Sequence, residues 1–157
     1  MPDTLSIALR DCELRSGQPQ MLRLAFGLAC VERVRHLLED QAVVRALDVL
    51  AAFVAGSASR ESLELAATES AELANRHQGS NSLDGVGHAA VSASYAVANA
   101  LAGKALQAAD YAAYAAVYGN GGYSAVRDPD SFAPEKAWQI GRLHSVAREL
   151  SGTRSDA

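Results

Sequence analysis

The chain has 157 residues, a net charge of −4 and two cysteines. This length predicts a single domain over residues 1–157 that buries a core of its own without metals or disulfides. The Lys and Arg residues are scattered along the chain, which argues against the clustered basic surface of a nucleic-acid-binding protein.

The first half of the sequence predicts four helices. A short helix over residues 5–15 ends at Ser-Gly-Gln-Pro, and a stronger one follows over residues 20–39. A third helix over residues 42–55 stops at Gly56, and Ser57 or Ser59 caps a fourth over residues 60–77. Residues 78–82 are then expected to form a loop.

The alanine-rich stretch over residues 84–118 is the most distinctive part of the chain. No charged residue lies between Asp84 and Lys104, so a helix over residues 86–103 has no solvated face and is expected to lie centrally. A membrane span is disfavoured because alanine, serine, asparagine and histidine make the segment weakly hydrophobic. Four larger polar residues share one helix face, called here the polar seam: His88, Ser92, Tyr95 and Asn99.

The end of this stretch predicts the remaining helices. Gly103 and Lys104 separate the central helix from one over residues 105–118. Gly-Asn-Gly-Gly at residues 119–122 is expected to reverse the chain, and a loop leads to Pro134, which opens the last helix. The fold class is therefore all-α: six or seven helices in a single compact bundle of antiparallel helix pairs. Its core covers about residues 20–150, before a flexible C-terminal tail over residues 151–157.

Sequence signatures of catalysis and metal binding are missing. There is no G-x-S-x-G elbow, P-loop, H-E-x-x-H motif or E-x-x-H turn. Glu32 and His36 lie one turn apart without companion ligands, so a solvated pair is the favoured interpretation. We therefore predict no metal, no cofactor and no enzymatic activity.

The two cysteines indicate a redox compartment. Cys12 and Cys30 are too few for a disulfide framework, and neither belongs to a C-x-x-C pair. We expect two buried thiols in a reducing cytoplasm, with a bridge between the first two helices as the alternative.

The polar seam has two interpretations. In the favoured one, its side chains hydrogen-bond between helices inside the bundle. In the other, His88, Tyr95 and Asn99 surround a pocket, and the chain is a helical small-ligand-binding protein or an enzyme.

Aromatic residues point to a surface or to a core. All five tyrosines lie between residues 95 and 123, and Tyr111, Tyr114 and Tyr118 share one helix face. Rigid aromatics suit a binding surface, but the same stripe also fills an alanine-rich core. Trp138 lies nearly opposite the apolar side of the last helix, so it packs under residues 119–133, which we favour, or faces a partner.

Three segments carry a resemblance to a known family. They are Leu-Ala-Cys-Val-Glu-Arg-Val at residues 28–34, Gly-His-Ala-Ala at residues 87–90 and Ala-Trp-Gln at residues 137–139. In this order the chain resembles an all-helical family of bacterial immunity proteins from polymorphic-toxin systems, with its C-A-E-R-V-like, G-H-A-A and W-Q pattern. Val31 stands where that pattern has alanine. The resemblance covers about residues 22–150 and implies a protein that binds and silences a cognate toxin.

The resemblance also implies candidate residues. The residues at matching positions, which either hold the fold or touch the toxin, are Glu32, Arg33, His88, Trp138 and Gln139. Of these, packing is expected to place His88 inside the bundle. Clustering near the glycine-rich segment predicts partner anchors and an acidic rim: Tyr114, Tyr118, Tyr123 and Trp138, then Asp128, Asp130 and Glu135. The predicted partner is a protein toxin, with neither nucleic acid nor membrane. A homodimer, or a purely structural oligomerisation module, is left open.

Overall fold

A computed structural model describes residues 3–76 and 86–155, and within this part the chain is all-α. The regular structure of these described ranges consists of seven α-helices and two short 3₁₀ segments, at Arg35–Leu37 and Pro129–Phe132. The α-helices are α1 (Thr4–Arg15), α2 (Pro19–Glu32), α3 (Gln41–Val54), α4 (Arg60–Arg76), α5 (Val86–Leu101), α6 (Ala105–Arg127) and α7 (Ala133–Ser155). The all-helical prediction is confirmed, whereas the loop predicted at residues 78–82 lies outside the described residues.

Local capping explains several helix starts. Asp3 accepts a hydrogen bond from the Ser6 backbone N–H at 2.7 Å, and Asp40 accepts one from that of Ala42 at 2.8 Å. Ser59, one of the two predicted caps, accepts from the backbone N–H of Ser62 at 3.0 Å. These oxygens satisfy N–H groups that the first helical turn leaves without partners.

The second helix is shorter than its apolar stripe predicts. It ends at Glu32 instead of residue 39, and a 3₁₀ turn at Arg35–Leu37 follows. In this turn the Arg35 guanidinium reaches Asp48 of α3 at 2.8 Å, while Val34 stays buried. The turn reverses the chain early enough for Asp40 to cap α3.

Helix α5 lies at the centre of the bundle, as its lack of charge predicts. It packs against α2, α3, α4 and α6, and small residues allow a close approach. At the crossing of α2 and α5, a Cβ on Gly27 would lie 3.3 Å from that of Ala100. Alanine and glycine thus set the spacing of the central helices.

Helices α5 and α6 form an antiparallel pair. Gly103, with φ of 77°, ends α5 and lets the chain turn back, which confirms the predicted division at this point. Tyr95 faces Tyr111, and nearer the start of α5 His88 faces Tyr118. Residue numbers therefore rise along α5 as they fall along its partner.

The prediction of a chain reversal at residues 119–122 is wrong. Helix α6 runs to Arg127 as two helical pieces that meet at a kink, where Gly122 has a non-helical φ of 65° and ψ of −151°. Gly119 lies against the Leu37 side chain, where a Cβ would come within 3.3 Å. Gly122 redirects the last part of α6, while the reversal into α7 occurs at Asp128 and the 3₁₀ segment Pro129–Phe132.

The last helix is also longer than expected. It begins at Ala133, with Pro134 in its first turn as predicted, and stays helical to Ser155. Residues 151–155, assigned from sequence to a C-terminal tail, therefore belong to α7.

Candidate protein-binding site

Five aromatic rings from α5, α6 and the second 3₁₀ segment meet in an aromatic cluster: His88, Tyr114, Tyr118, Tyr123 and Phe132. Tyr118 is its centre, stacked on His88 at 5.4 Å between ring centroids and edge-on to Tyr114 at 4.8 Å and Tyr123 at 5.2 Å. His88 also meets Tyr123 edge-on at 5.4 Å. Such stacked and edge-to-face pairs are favourable arrangements of aromatic rings. The cluster is therefore held in place by its own contacts.

The cluster has a buried base and an exposed surface. Tyr118 is 6% exposed, whereas Tyr123 is 44% exposed and His88 is also exposed. The prediction that His88 is internal is thus wrong. It lies in the first turn of α5, where its described ring contacts are with two tyrosines of α6, and the ring's remaining surface faces solvent.

The kink at Gly122 brings Tyr123 into the cluster. Gly122 has a φ of 65° and a ψ of −151°, a conformation that is strongly unfavourable for any residue with a side chain. Glycine is therefore required for this change of direction. The next residue then contacts both His88 and Tyr118. The glycine-rich segment, expected to be a plain turn, positions a side chain.

A second local device brings in Phe132, which sequence reasoning missed. The Asp128 carboxylate accepts a hydrogen bond from the Asp130 backbone N–H at 3.0 Å and so caps the segment Pro129–Phe132. The Phe132 ring then lies 6.4 Å from that of Tyr114. Its place close to Pro129 and Pro134 is the signal that could have identified it, because prolines there favour a rigid connection.

Hydrogen bonding inside the cluster changes the acidity of one phenol. Interaction with the Tyr114 side chain, followed by burial, raises the pKa of Tyr118 to about 12. A tyrosine is protonated near neutral pH already at its ordinary pKa, and the raised pKa extends the uncharged state of Tyr118 to more alkaline conditions.

The polar seam does not form one internal hydrogen-bond network. Tyr95 donates to the Asn75 side chain of α4 at 3.3 Å, but Asn99 donates at 2.8 Å to the backbone carbonyl of Tyr95 in its own helix. Ser92 is buried and lines an open cleft formed with α6, not with His88, Tyr95 or Asn99. The three residues of the alternative small-ligand pocket, His88, Tyr95 and Asn99, thus do not line this cleft.

Trp138 lies apart from the contacts of the aromatic cluster. The Arg33 guanidinium lies 4.3 Å above its ring centroid, and the groove they share is formed by residues of α2, α3 and α7. The prediction that it packs under residues 119–133 is therefore wrong. Trp138 is partly buried against the core, and the residues that line its groove include none from 119–133.

The other candidate residues near the α2–α7 contact have different partners. Arg33 donates to both oxygens of Glu135, at 2.8 Å from Nε and 3.1 Å from Nη2, and hydrogen bonding with this carboxylate raises the arginine pKa. Gln139 is buried and donates to the Ala109 carbonyl of α6 at 2.8 Å. Glu32 is exposed, 3.6 Å from Arg35. The Arg33 and Gln139 contacts thus connect different elements, whereas the Glu32 contact is local; Asp128 and Asp130 remain exposed beside the cluster.

Both cysteines of the chain are free thiols. Cys30 is a buried free thiol whose pKa burial raises to about 12, and Cys12 is free and half-buried, so the alternative of a bridge between them is not formed. No group of three or more metal-binding side chains occurs in the two described ranges. None of the helices described combines the length and apolar character needed to cross a bilayer.

Comparison with known proteins identifies one family. A family model described as "Imm-5 like putative immunity protein" matches residues 14–146, which include α2 to α6 and the aromatic cluster. The comparisons with curated proteins and with solved structures give no match.

Proposed function

Because the chain belongs to the Imm-5 like immunity protein family, we propose that it binds a cognate bacterial protein toxin and neutralises it. Neutralisation in this proposal is stoichiometric and non-catalytic: the bound chain covers the toxin's active site or holds an inactive conformation. The proposed place of action is the cytoplasm of the producing cell.

The exposed aromatic cluster is the observation that supports this proposal. Tyr123 and His88 face solvent on a base of packed rings, so they are presented with little freedom to lose on binding. Binding hot spots are enriched in tyrosine and gain most when their rigid surface is already formed. We propose Tyr123, His88 and Tyr114 as contacts, with buried Tyr118 as their support.

Charge adds a second element to the proposed interface. Asp128 and Asp130 are exposed next to the cluster and form its acidic rim. Such charges speed encounter with a basic partner more than they tighten the complex. Glu135 and Trp138 are proposed as a peripheral part, since Arg33 already pairs with the first and covers the second.

Co-purification is the first experiment. The tagged chain is expressed in its native host or together with the products of adjacent genes, and proteins that come down with it are identified. We expect one toxin-like protein in a fixed ratio, whose toxicity the chain suppresses on co-expression. Purification of the chain alone, together with no protection from any adjacent gene product, would contradict the proposal.

Substitution of Tyr123 tests the surface. We expect Tyr123→Ala to weaken toxin binding at least tenfold, corresponding to about 1.4 kcal/mol or more, because it removes a preformed contact. Leu65→Ala is the matched control, since Leu65 is a 67% exposed apolar residue on α4, away from the cluster contacts. Affinity is measured by calorimetry and folding by thermal denaturation. Equal affinities of the two folded variants would place the interface elsewhere.

A further inference from the structure

An open cleft of about 380 Å³ lies beside the aromatic cluster. Five residues line it: Ser92, Gln107, Asp110, Tyr111 and Tyr114. Ser92 is buried on α5, while the other four belong to one stretch of α6. The cleft is thus built on the antiparallel pair α5–α6, whose backbone is fixed by packing.

Both tyrosines of the cleft are held by rings outside it. Tyr111 stacks on Tyr95 with centroids 5.3 Å apart and an angle of 22°. Tyr114 is held edge-on by Tyr118 and lies against Phe132. Because neighbours fix these rings, a ligand does not have to order them. The negative face of an aromatic ring attracts cations.

A carboxylate stands at the same cleft. The Asp110 side chain is 66% exposed and accepts a hydrogen bond from Lys136 at 2.8 Å through Oδ1. In the described part of the chain no hydrogen bond to its Oδ2 is found, so one oxygen is open to a second donor. The pairing with Lys136 also shows that this position accepts a cation within the chain itself.

From these features we infer that the cleft receives an arginine side chain of the partner toxin. This inference rests on the proposed function and names the chemistry of one contact. A guanidinium group is planar, stacks on tyrosine rings and donates hydrogen bonds to carboxylates. Tyr111 and Tyr114 supply the rings, and the open oxygen of Asp110 supplies the acceptor.

Two small probes test the cleft without the toxin. N-acetyl-arginine amide carries the guanidinium, and N-acetyl-citrulline amide replaces it with a neutral urea of nearly the same shape. Each is titrated into the full chain and followed by NMR at the Ser92 amide and the Tyr111 ring. We expect saturable shifts with the arginine probe and an affinity at least about fivefold weaker for citrulline.

Three variants assign the contacts. Asp110→Asn is expected to lower the affinity for the arginine probe by up to about fivefold. Lys136→Met, which frees the same carboxylate, is expected to raise that affinity. Tyr111→Leu keeps an apolar wall without an aromatic face. It is expected to weaken binding of the arginine probe and to leave binding of the citrulline probe unchanged. It also tests the cleft independently should Asp110→Asn fail to fold. Thermal denaturation identifies folded variants.

The outcomes separate this inference from the proposed function. Equal binding of arginine and citrulline, or no saturable shift with either, overturns the inference even where the toxin still co-purifies. An unchanged arginine affinity in folded Asp110→Asn and Tyr111→Leu also overturns it. Discrimination between the probes in a chain that has no toxin partner would support the cleft and refute the proposed function.

Discussion

Gln139 illustrates how one residue of the W-Q pair is used. Its side chain is 1% exposed and reaches from α7 to the Ala109 carbonyl of α6, while its own Oε1 has no hydrogen-bond partner in the described structure. A buried polar atom without a partner costs free energy, whereas a neutral hydrogen bond contributes modestly. The amide is therefore close to neutral in net stability, and its volume matters more than its polarity.

This balance makes a prediction for two substitutions. Gln139→Met keeps the volume and removes both the hydrogen bond and the unpartnered oxygen, so it is expected to change the free energy of unfolding by less than about 1 kcal/mol. Gln139→Ala leaves a cavity and is expected to cost about 2 kcal/mol or more. Urea denaturation measures both, and a cost for methionine as large as that for alanine would contradict this account.

Single residues were the least predictable from sequence. The tyrosine concentration left a core stripe and a binding surface open, His88 was expected inside, and Phe132 was not singled out. Helical spacing places a residue on a face without saying where the covering helix stops. His88 lies near the end of α5, where that coverage is incomplete.

At the scale of elements, two glycines inside helices have opposite roles. Gly122 holds the kink of α6 with positive φ, whereas Gly141 is an ordinary helical residue of α7 with no atom within 4 Å of an added Cβ. Glycine costs a helix about 1 kcal/mol relative to alanine where the conformation is ordinary, but it relieves strain where φ is positive. The local backbone conformation therefore decides whether replacing a helical glycine with alanine stabilises or destabilises the protein.

We expect Gly122→Ala to destabilise the protein by about 1–3 kcal/mol and to weaken toxin binding, since Tyr123 follows the kink. Gly141→Ala is expected to stabilise it by up to about 1 kcal/mol and to leave toxin binding unchanged. Chemical denaturation and calorimetry measure the two effects. Stabilisation by both alanines would show that the kink is not required.

The existence of the helices was predictable, but the C-terminal ends of α2 and α6 were not. Apolar periodicity correctly placed α1, α3, α4 and α5 and the division at Gly103. It extended α2 past Glu32 and ended α6 too early, because both ends depend on contacts with other elements. Arg35 pairs with α3, and Gly119 lies against Leu37. Such contacts have no signature within one helix.

The whole molecule is a small bundle whose stability depends on a neutral core. Cys30 belongs to that core at 1% exposure, and burial raises its pKa from 9.0 to about 12. Below pH 9 the thiol is neutral in both states. Between about pH 9 and 12 it ionises in the unfolded chain alone, so its contribution to stability falls as pH rises through this window.

The wild-type chain is thus expected to lose about 2 kcal/mol more of its free energy of unfolding than Cys30→Ala between pH 9 and pH 11. Cys12 and Tyr118, whose pKa values are also raised, are present in both proteins, so the comparison isolates one thiol. Urea denaturation at the two pH values provides the measurement. Parallel losses would mean that Cys30 ionises in the folded state as easily as in the unfolded one.

The sequence by itself determined the all-helical class, the central position of α5 and the family, because periodicity, charge and short motifs are properties of the chain read in order. Only the tertiary structure decided which side chains meet. It joined Arg33 to Glu135 and Trp138, and it exposed Tyr123 on a base of buried Tyr118. The physical reason is that these contacts join different helices or cross the Gly122 kink, so they depend on packing and on positive φ, which residue spacing does not encode.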